Sequence, residues 1–438
     1  MRYTRRSLLR NLVWTALGLG ALTGGCQALP RVASRGEPVK VVLMRWGNPD
    51  EQKVTTEGLK TFEERNPDVK TEFLHVPTNY YEKLQTMLAG GVGPDVFIIG
   101  AAYATAYAVR GVSADLSAYI KRDAFDIEDF IPAGVAQYRV RGGLYGLPRG
   151  LGRSGLVFND DLFRRAGVTT PPRDWQHPGW DWQEFVETAR RLTQPAREGR
   201  PPQFGFLVQP GNLRLWLSFV WSNGGEAFSA DGTEVRLHEP PAVEALQFLQ
   251  DLIHKYQVAP RPDVLQEQNA LSLFATSRIA LDFTEPFTFA TRRREARFRW
   301  DCAVLPKGKA GRVPGGGGAG WVLSARSQQP EAGWRLFKWL TSKEFMLREQ
   351  EAGTTTTPRL SITYSPAFLD FRLADGTPVN MRVYADNLAL MRTDPQLLRW
   401  DEVNTAINRE LDYLWTGRRP AREVATAIKQ AVDPLLKA

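Results

Sequence analysis

The sequence contains few of the residues that bind metals or link segments covalently. Its 438 residues include two cysteines, Cys26 and Cys302, and four histidines. Two cysteines exclude a disulfide-dense scaffold and a four-cysteine zinc site, and no two histidines have the spacing of metal ligands. We therefore expect no bound metal and no cofactor. Cys302 begins an apolar run and is expected to be an inert buried thiol.

Long hydrophobic runs are also scarce. Beyond residue 30 the sequence has no run of about 20 apolar residues, so the body of the protein is not expected to span a membrane. Hydrophobic residues make up 43% and charged residues 24% of the chain. Both values are near the globular average, which excludes a disordered or fibrous chain. At roughly 100–200 residues per domain, the length predicts two or three domains.

The N-terminal segment has the pattern of an export signal. Residues 1–10 contain four arginines and no acidic residue, and the next fifteen residues are apolar and small. We interpret residues 1–25 as a signal peptide and residues 26–38 as a tether. Without the signal peptide the chain keeps 52 basic and 48 acidic residues. This balance is too mild to predict a nucleic-acid partner.

Two details within this segment suggest where the protein resides. Residues 4–10 resemble a twin-arginine export signal, and residues 22–26 resemble a bacterial lipobox that ends at Cys26. Cys26 is therefore a candidate site of lipidation, which would anchor an exported protein to the outer face of the cytoplasmic membrane or hold it in the periplasm. There are two alternatives. The arginines could be only the positively charged start of a general export signal, and Cys26 could be an ordinary cysteine.

From residue 39 onward, apolar runs of strand length alternate with helical patterns. The runs at residues 39–46, 69–76 and 95–99 are predicted strands, and the segments between them have helical spacing. Such alternation predicts parallel strands in a sheet covered by helices. The same pattern resumes after residue 155, with no internal repeat and no long linker. The sequence thus predicts an α/β protein with two closely connected lobes.

Several enzyme signatures can be excluded. Gly315, Gly317 and Gly320 fit the dinucleotide fingerprint by letter, but a predicted strand rather than a helix follows them. We interpret this segment as a place where the backbone approaches another group closely. The sequence also has no nucleophile elbow, no His-Glu-x-x-His motif and no phosphate-binding loop. A glycan-degrading enzyme with two distant carboxylates remains an alternative.

Tryptophan is abundant, with thirteen residues in the chain. Three of them, Trp46, Trp221 and Trp400, lie at the ends of predicted segments. An aromatic ring offers a flat apolar face to a sugar ring, while polar neighbours bind the sugar hydroxyls. For these three we keep both interpretations, ligand contact and core packing. The tryptophans on predicted helix stripes favour core packing; these are Trp182, Trp334 and Trp339.

Short motifs then occur in an order typical of one family. They are the Gly-Pro-Asp-Val segment before residue 99, the Leu-Tyr-Gly-Leu-Pro segment at 144–148, the stretches 156–167 and 180–193, the Asn-Gly-Gly segment at 223–228, and residues 274–280 and 304–308. Over residues 39–436 the sequence resembles the extracellular solute-binding proteins of sugar ABC importers, the maltose-binding-like family.

This resemblance implies a two-lobed fold of the type II periplasmic-binding-protein class, with the ligand in a cleft between the lobes. It places residues 39–152 and 302–360 in the N-terminal lobe, and residues 153–301 and 361–438 in the C-terminal lobe. It implies a monomeric binding protein, not an enzyme, that captures a carbohydrate and delivers it to the membrane subunits of an ABC permease. The alternative is the same fold binding glycerol 3-phosphate or another anionic solute.

The resemblance also implies which residues contact the ligand. By position these are Trp46, Asn48, Asp50, Tyr103, Gln209, Trp216, Trp221, Glu285, Phe287, Gly318, Arg359 and Trp400. Two of them depart from the family pattern: Phe287 stands where relatives often have tryptophan, and Glu285 replaces a glycine. For an anionic ligand, Arg45, Arg153 and Arg359 could form a phosphate clamp, because guanidinium groups bind phosphate in a bidentate geometry.

Overall fold

The computed structural model describes residues 37–437, so the expected signal peptide, most of the tether and Cys26 lie outside the described residues. The strands are β1 (Val39–Arg45), β2 (Val69–His75), β3 (Val96–Gly100), β4 (Arg139–Val140), β5 (Gly143–Leu144), β6 (Leu147–Pro148), β7 (Gly152–Arg153), β8 (Gly155–Asn159), β9 (Phe204–Leu207), β10 (Ile279–Thr284), β11 (Trp300–Ala303), β12 (Gly315–Gly317), β13 (Ala319–Leu323) and β14 (Arg392–Thr393).

The helices follow the same chain order. They are α1 (Pro49–Arg65), α2 (Tyr80–Ala89), α3 (Ala104–Val109), α4 (Ser117–Arg122), α5 (Pro132–Ala136), α6 (Asp160–Ala166), α7 (Trp182–Leu192), α8 (Leu213–Ser222), α9 (Pro240–His254), α10 (Pro262–Glu267), α11 (Ala270–Ala275), α12 (Phe289–Glu295), α13 (Pro330–Leu340), α14 (Lys343–Glu351), α15 (Leu360–Thr363), α16 (Pro366–Leu369), α17 (Arg382–Ala385), α18 (Trp400–Trp415) and α19 (Ala421–Lys437). Across residues 37–437, none of these helices is long and apolar enough to cross a membrane.

The first lobe is built on a five-stranded sheet with the strand order β2-β1-β3-β13-β6. Strands β1, β2 and β3 pair in parallel, as the alternation of apolar runs and helical patterns predicted. Strand β13 joins them from far along the chain and runs antiparallel to β3. Leu43, Phe97 and Trp321 from these strands are fully buried in the core of this lobe.

The second lobe is built on a four-stranded sheet with the strand order β11-β8-β10-β9. Its core combines residues of this sheet, such as Phe158 and Leu281, with residues of α18 and α19, such as Val403 and Ile428. Cys302 is fully buried in this core, as expected, and its burial raises the pKa of the thiol. The two lobes have separate hydrophobic cores, so the predicted two-lobed α/β fold is confirmed.

A small third sheet, with the order β14-β12-β7, lies where the chain passes between the lobes. Strand β7 leads into β8 of the second lobe, and β12 leads into β13 of the first. The sequence analysis placed the return of the chain to the first lobe at residue 302, whereas the strand pairing and the cores place it later. Residues 302–305 belong to the second core, because β11 pairs with β8. The chain returns through β12, more than ten residues later.

Candidate functional site

A cavity of about 370 Å³ lies between the two lobes. Both lobes and the strands that cross between them contribute to its walls. The first lobe contributes Trp46, Asn48, Asp50, Glu51 and Arg149; the second contributes Arg214, Glu285, Phe287, Ala290, Thr291 and Arg294; and the crossing strands contribute Gly152, Gly317 and Gly318. The size is at the lower end of the range typical of small-molecule sites. We call this cavity the cleft.

The first wall of the cleft is formed where β1 ends and α1 begins. Asn48 caps α1: its Oδ1 accepts a hydrogen bond from the backbone N–H of Glu51 at 3.0 Å, and Glu51 Oε2 accepts one from the N–H of Asn48 at 2.9 Å. This reciprocal capping box fixes the entry of the chain into the helix. The side chains around it therefore stand at the carboxyl end of β1, where ligands commonly bind in parallel α/β sheets.

Behind this wall lies a buried network of two arginines and two glutamates. Arg149 Nη2 lies 2.9 Å from Glu51 Oε1, and Arg149 Nε lies 2.8 Å from Glu349 Oε1. Arg45 forms ion pairs with the same two carboxylates, with Glu51 at 2.9 Å and with Glu349 at 3.5 Å. Burial and the neighbouring Arg149 lower the pKa of Arg45 to about 10. Each guanidinium in this network therefore already has carboxylate partners.

The opposite wall contains a second charge cluster centred on Arg214 of α8. Its Nη1 donates to both carboxylate oxygens of Glu285, at 2.9 and 3.1 Å. Its Nε and Nη2 donate to the two oxygens of Asp394, at 3.0 and 2.7 Å. Burial raises the pKa of Glu285, and the guanidinium of Arg214 opposes this effect. Arg214 thus neutralises two carboxylates that would otherwise be buried together.

Two glycines allow the second cluster and the crossing strands to approach this closely. A Cβ on Gly152 would lie 1.9 Å from Glu285 Oε2, a distance that no side chain could keep. A Cβ on Gly318 would lie 2.0 Å from the carbonyl oxygen of Gly150. The sequence expectation of a close backbone approach near residues 315–320 is therefore confirmed.

Three side chains of the cleft have no strong partner of their own. Phe287 is 53% exposed, which is unusual for a large aromatic ring. Among the described residues, neither Asp50 nor Arg294 takes part in an ion pair, and the side chain of Arg294 reaches only the Thr291 hydroxyl, at 3.5 Å. These groups are free to bind a molecule that enters the cleft.

Residues 46–346 match the family described as bacterial extracellular solute-binding protein. The chain belongs to this family. Its backbone superimposes with a TM-score of 0.81 on an ABC substrate-binding protein of Listeria monocytogenes in complex with cycloalternan, at 25% identity, covering 92% of this chain and all of the other. A maltose-bound protein of T. maritima matches with a TM-score of 0.73 at 24% identity, covering 91% and 99%; this likeness concerns the fold alone.

A relative with a different ligand is also similar in sequence. The sn-glycerol-3-phosphate-binding periplasmic protein of Salmonella typhimurium is 23% identical over 399 residues, which is 85% of this chain and 86% of the relative. The comparisons thus place the chain among the binding proteins of ABC importers, a class whose members bind solutes and work with permease subunits.

In this solute-binding protein, half of the sequence-predicted ligand contacts meet in the cleft. They are Trp46, Asn48, Asp50, Glu285, Phe287 and Gly318. They come from segments up to 272 positions apart (Trp46 and Gly318), so the fold brings them together from both lobes and the crossing strands. Whether each contacts the ligand stays a prediction.

Three predicted tryptophan contacts lie elsewhere. Trp216 is 1% exposed and packs in the second core, as does Trp400 at the start of α18. Trp221 lines a separate cavity of about 710 Å³, and the Arg392 guanidinium covers its ring at 4.6 Å from the centroid. None of the three side chains lines the cleft, because all three rings are buried in the second core.

The remaining predicted contacts have other partners. Gln209 donates to Asp282 Oδ1 at 2.8 Å and to the carbonyl of Phe283 at 2.9 Å. Arg359 is buried against Asp129, at 2.9 Å, and Tyr103 donates to Asp401 of the second lobe. None of the three lines the cleft, although Tyr103 does lie where the lobes meet.

None of the three arginines of the expected phosphate clamp, Arg45, Arg153 and Arg359, lines the cleft. Arg45 is buried in the network behind the first wall. Arg153 does not line the cleft; it donates to the Thr357 carbonyl at 3.2 Å and the Thr363 hydroxyl at 3.3 Å, and burial lowers its pKa to about 9. Each guanidinium is buried with protein partners of its own.

Sequence reasoning missed the charged walls. Arg149, Arg214 and Arg294 were not predicted, because an arginine on a helix or beside a strand is usually a solvated surface residue. Glu51 had a usable signal, since it stands three residues after a capping Asn48. For residues 37–437, no three His, Cys, Asp or Glu side chains are grouped so that they could hold a metal ion.

Proposed function

We propose that the chain is the substrate-binding component of an ABC importer, which captures a carbohydrate outside the cytoplasmic membrane and delivers it to the permease. The observation that carries this proposal is the cleft itself. Trp46 stands on one wall and the exposed ring of Phe287 on the other, with polar side chains and backbone groups between them. Flat apolar faces beside hydrogen-bonding groups are what a sugar ring and its hydroxyls require.

The charges of the cleft favour a neutral ligand. Its walls carry three basic side chains, Arg149, Arg214 and Arg294, and the same number of acidic ones, Asp50, Glu51 and Glu285. Arg149 and Arg214 are further paired to Glu349 and Asp394. A phosphate group is bound best by guanidiniums whose charge is not already compensated. An uncharged polyol can instead use both the arginine donors and the carboxylate acceptors.

The alternative ligand is glycerol 3-phosphate or a related anion. The similarity to the Salmonella typhimurium glycerol-3-phosphate-binding protein supports it. In the cleft, Arg294 is the candidate contact for a phosphate, because it has no ion pair among the described residues. A single arginine opposite the carboxylate of Asp50 is a weak phosphate site, so we rank this ligand second.

In the proposed mechanism no covalent bond is made or broken. The ligand contacts both walls only when the lobes are closed, so binding shifts the population towards the closed form. The closed form is then the one that the permease would recognise. A carboxylate pair acting as acid and base on a glycan would be a different chemistry, and the Glu285 carboxylate is already bound to Arg214.

A thermal-shift screen tests the proposed ligand class. The expected result is a rise in melting temperature with one or more mono-, di- or oligosaccharides and none with glycerol 3-phosphate. A ligand at 100 times its dissociation constant adds about 2.7 kcal/mol to the free energy of unfolding, which such a screen detects readily. Stabilisation by glycerol 3-phosphate and by no sugar would instead support the alternative.

We also propose that a lipid on Cys26 retains the exported protein at the membrane. The support is the lipobox-like sequence at residues 22–26. We expect Cys26→Ser to release the protein from the membrane fraction into the soluble fraction. Immunoblotting of the two fractions measures this release. Mass spectrometry of the wild-type protein should show an N-terminus at Cys26. An intact N-terminus with unchanged membrane association in the variant would contradict the proposal.

A further inference from the structure

The lobes also touch at a place that does not line the cleft. The Tyr103 hydroxyl, which follows β3 in the first lobe, donates a hydrogen bond to Asp401 of α18 in the second lobe. Gln396 Nε2 donates to the carbonyl of Gln137 at 2.6 Å, and the Thr105 hydroxyl lies 3.4 Å from Gln396 Oε1. We call these five residues the latch. Its hydrogen bonds join one lobe directly to the other and need no ligand.

In the first lobe, a chain of aromatic rings connects the cleft wall to the latch. Trp46 lies in the wall, and its ring centroid is 5.8 Å from that of Tyr81. Tyr81 stacks on Tyr103 with a centroid distance of 4.3 Å. Tyr81 also accepts a hydrogen bond from the N–H of Gly100 at 2.9 Å, which fixes its position. The ring of Tyr103 is thus held in place by neighbours that reach the cleft.

In the second lobe, Arg214 connects the cleft wall to the latch. The guanidinium that faces the cleft also binds Asp394 through two hydrogen bonds, at 3.0 and 2.7 Å. The backbone N–H of Asp394 donates to the carbonyl of Gly316 at 3.1 Å, so this residue is fixed to a crossing strand. Gln396 follows two positions later. Arg214 and Asp394 therefore position the second half of the latch.

We propose that the latch holds a fraction of the molecules closed without ligand and thereby sets the affinity of the cleft. Apparent affinity scales with the fraction of molecules in the binding-competent form. Tyr103, Gln396 and Asp401 are in this account positioning residues, which act on the ligand through lobe closure. This role differs from the ligand contact that the family resemblance implies for Tyr103.

The test measures closure in the ligand-free protein, so it does not depend on which solute the cleft binds. Small-angle X-ray scattering of the wild type should fit a mixture of closed and open molecules. One net hydrogen bond is typically worth about a five-fold change in such a ratio. Tyr103→Phe and Gln396→Ala should each lower the closed-to-open ratio about five-fold, and together about 25-fold if the two sites act independently.

Matched substitutions within single lobes serve as controls. Tyr119→Phe removes a hydroxyl from a ring that packs on Trp334 in the first lobe, and Gln183→Ala shortens a side chain on α7 of the second. Both should leave the scattering curve and melting temperature unchanged. Asp401→Leu provides a second disruption of the latch, because leucine has nearly the size of aspartate and no oxygen that could accept from Tyr103.

Two outcomes would overturn the proposal. One is a wild-type protein that scatters as the open form alone when no ligand is present. The other is a double variant, Tyr103→Phe with Gln396→Ala, that melts like the wild type and has the same scattering curve. A larger radius of gyration in the double variant and in Asp401→Leu, with both controls unchanged, supports the latch.

Discussion

Replacing Arg214 by methionine is expected to lower the free energy of unfolding by about 3–5 kcal/mol. Arg214 binds Glu285 and Asp394, and both carboxylates are buried. Removal of the guanidinium leaves two negative charges close together with little access to water, and breaking a buried ion pair in this way costs far more than the pair itself contributes. Urea denaturation followed by tryptophan fluorescence gives the difference.

Arg392→Met is the matched control for this substitution. Arg392 forms an equally short pair with Glu226, at 2.7 Å, but both side chains are more than 40% exposed. An exposed pair of this kind is worth about 0–1 kcal/mol. Equal losses in the two variants would show that the cluster around Arg214 is not a buried, mutually dependent unit.

Trp216→Ala is expected to lower the free energy of unfolding by about 3–5 kcal/mol and to leave ligand affinity little changed. The ring is buried in the core of the second lobe, so its removal leaves a cavity that the surrounding side chains fill incompletely. Denaturation measures the first effect, and calorimetric titration with a sugar found in the screen measures the second.

Trp46→Ala should instead weaken ligand binding and have a smaller effect on stability, so it is a suitable comparison for Trp216→Ala. Trp46 lines the cleft and is half-buried, so the ligand-free protein should lose less stability. A Trp216→Ala protein that is as stable as the wild type but binds weakly would mean that Trp216 contacts the ligand. The family resemblance implies this contact, whereas the burial of the ring argues against it.

The parallel pairing of β1, β2 and β3 in the first sheet could be predicted because its signals are local. The apolar runs that form β1, β2 and β3 are separated by helices with clear periodicity, and such an alternation has few solutions. The return of the chain between the lobes could not be placed, because residues 302–305 are apolar and would suit either core. Only the pairing of β11 with β8 decides between them.

The tryptophans show why the candidate site was only partly predictable. A ring at the end of a segment suits a cleft and a core equally well. Trp216 had a usable signal, since α8 is apolar on nearly all sides and such a helix is buried. Arg214 is the one charged residue of this helix. The sequence alone does not reveal its two carboxylate partners, which lie 71 and 180 positions away.

The central claim, that the cleft between the lobes binds a neutral carbohydrate, is tested most directly by calorimetric titration of the wild type and Trp46→Ala. The titrants are the sugars found in the screen and glycerol 3-phosphate. We predict saturable binding of a sugar to the wild type and no heat from glycerol 3-phosphate. Loss of an aromatic stacking face is worth about 1–3 kcal/mol, so Trp46→Ala should weaken sugar binding by about five- to a hundred-fold. Saturable binding of glycerol 3-phosphate, or sugar binding that Trp46→Ala leaves unchanged, would contradict the account.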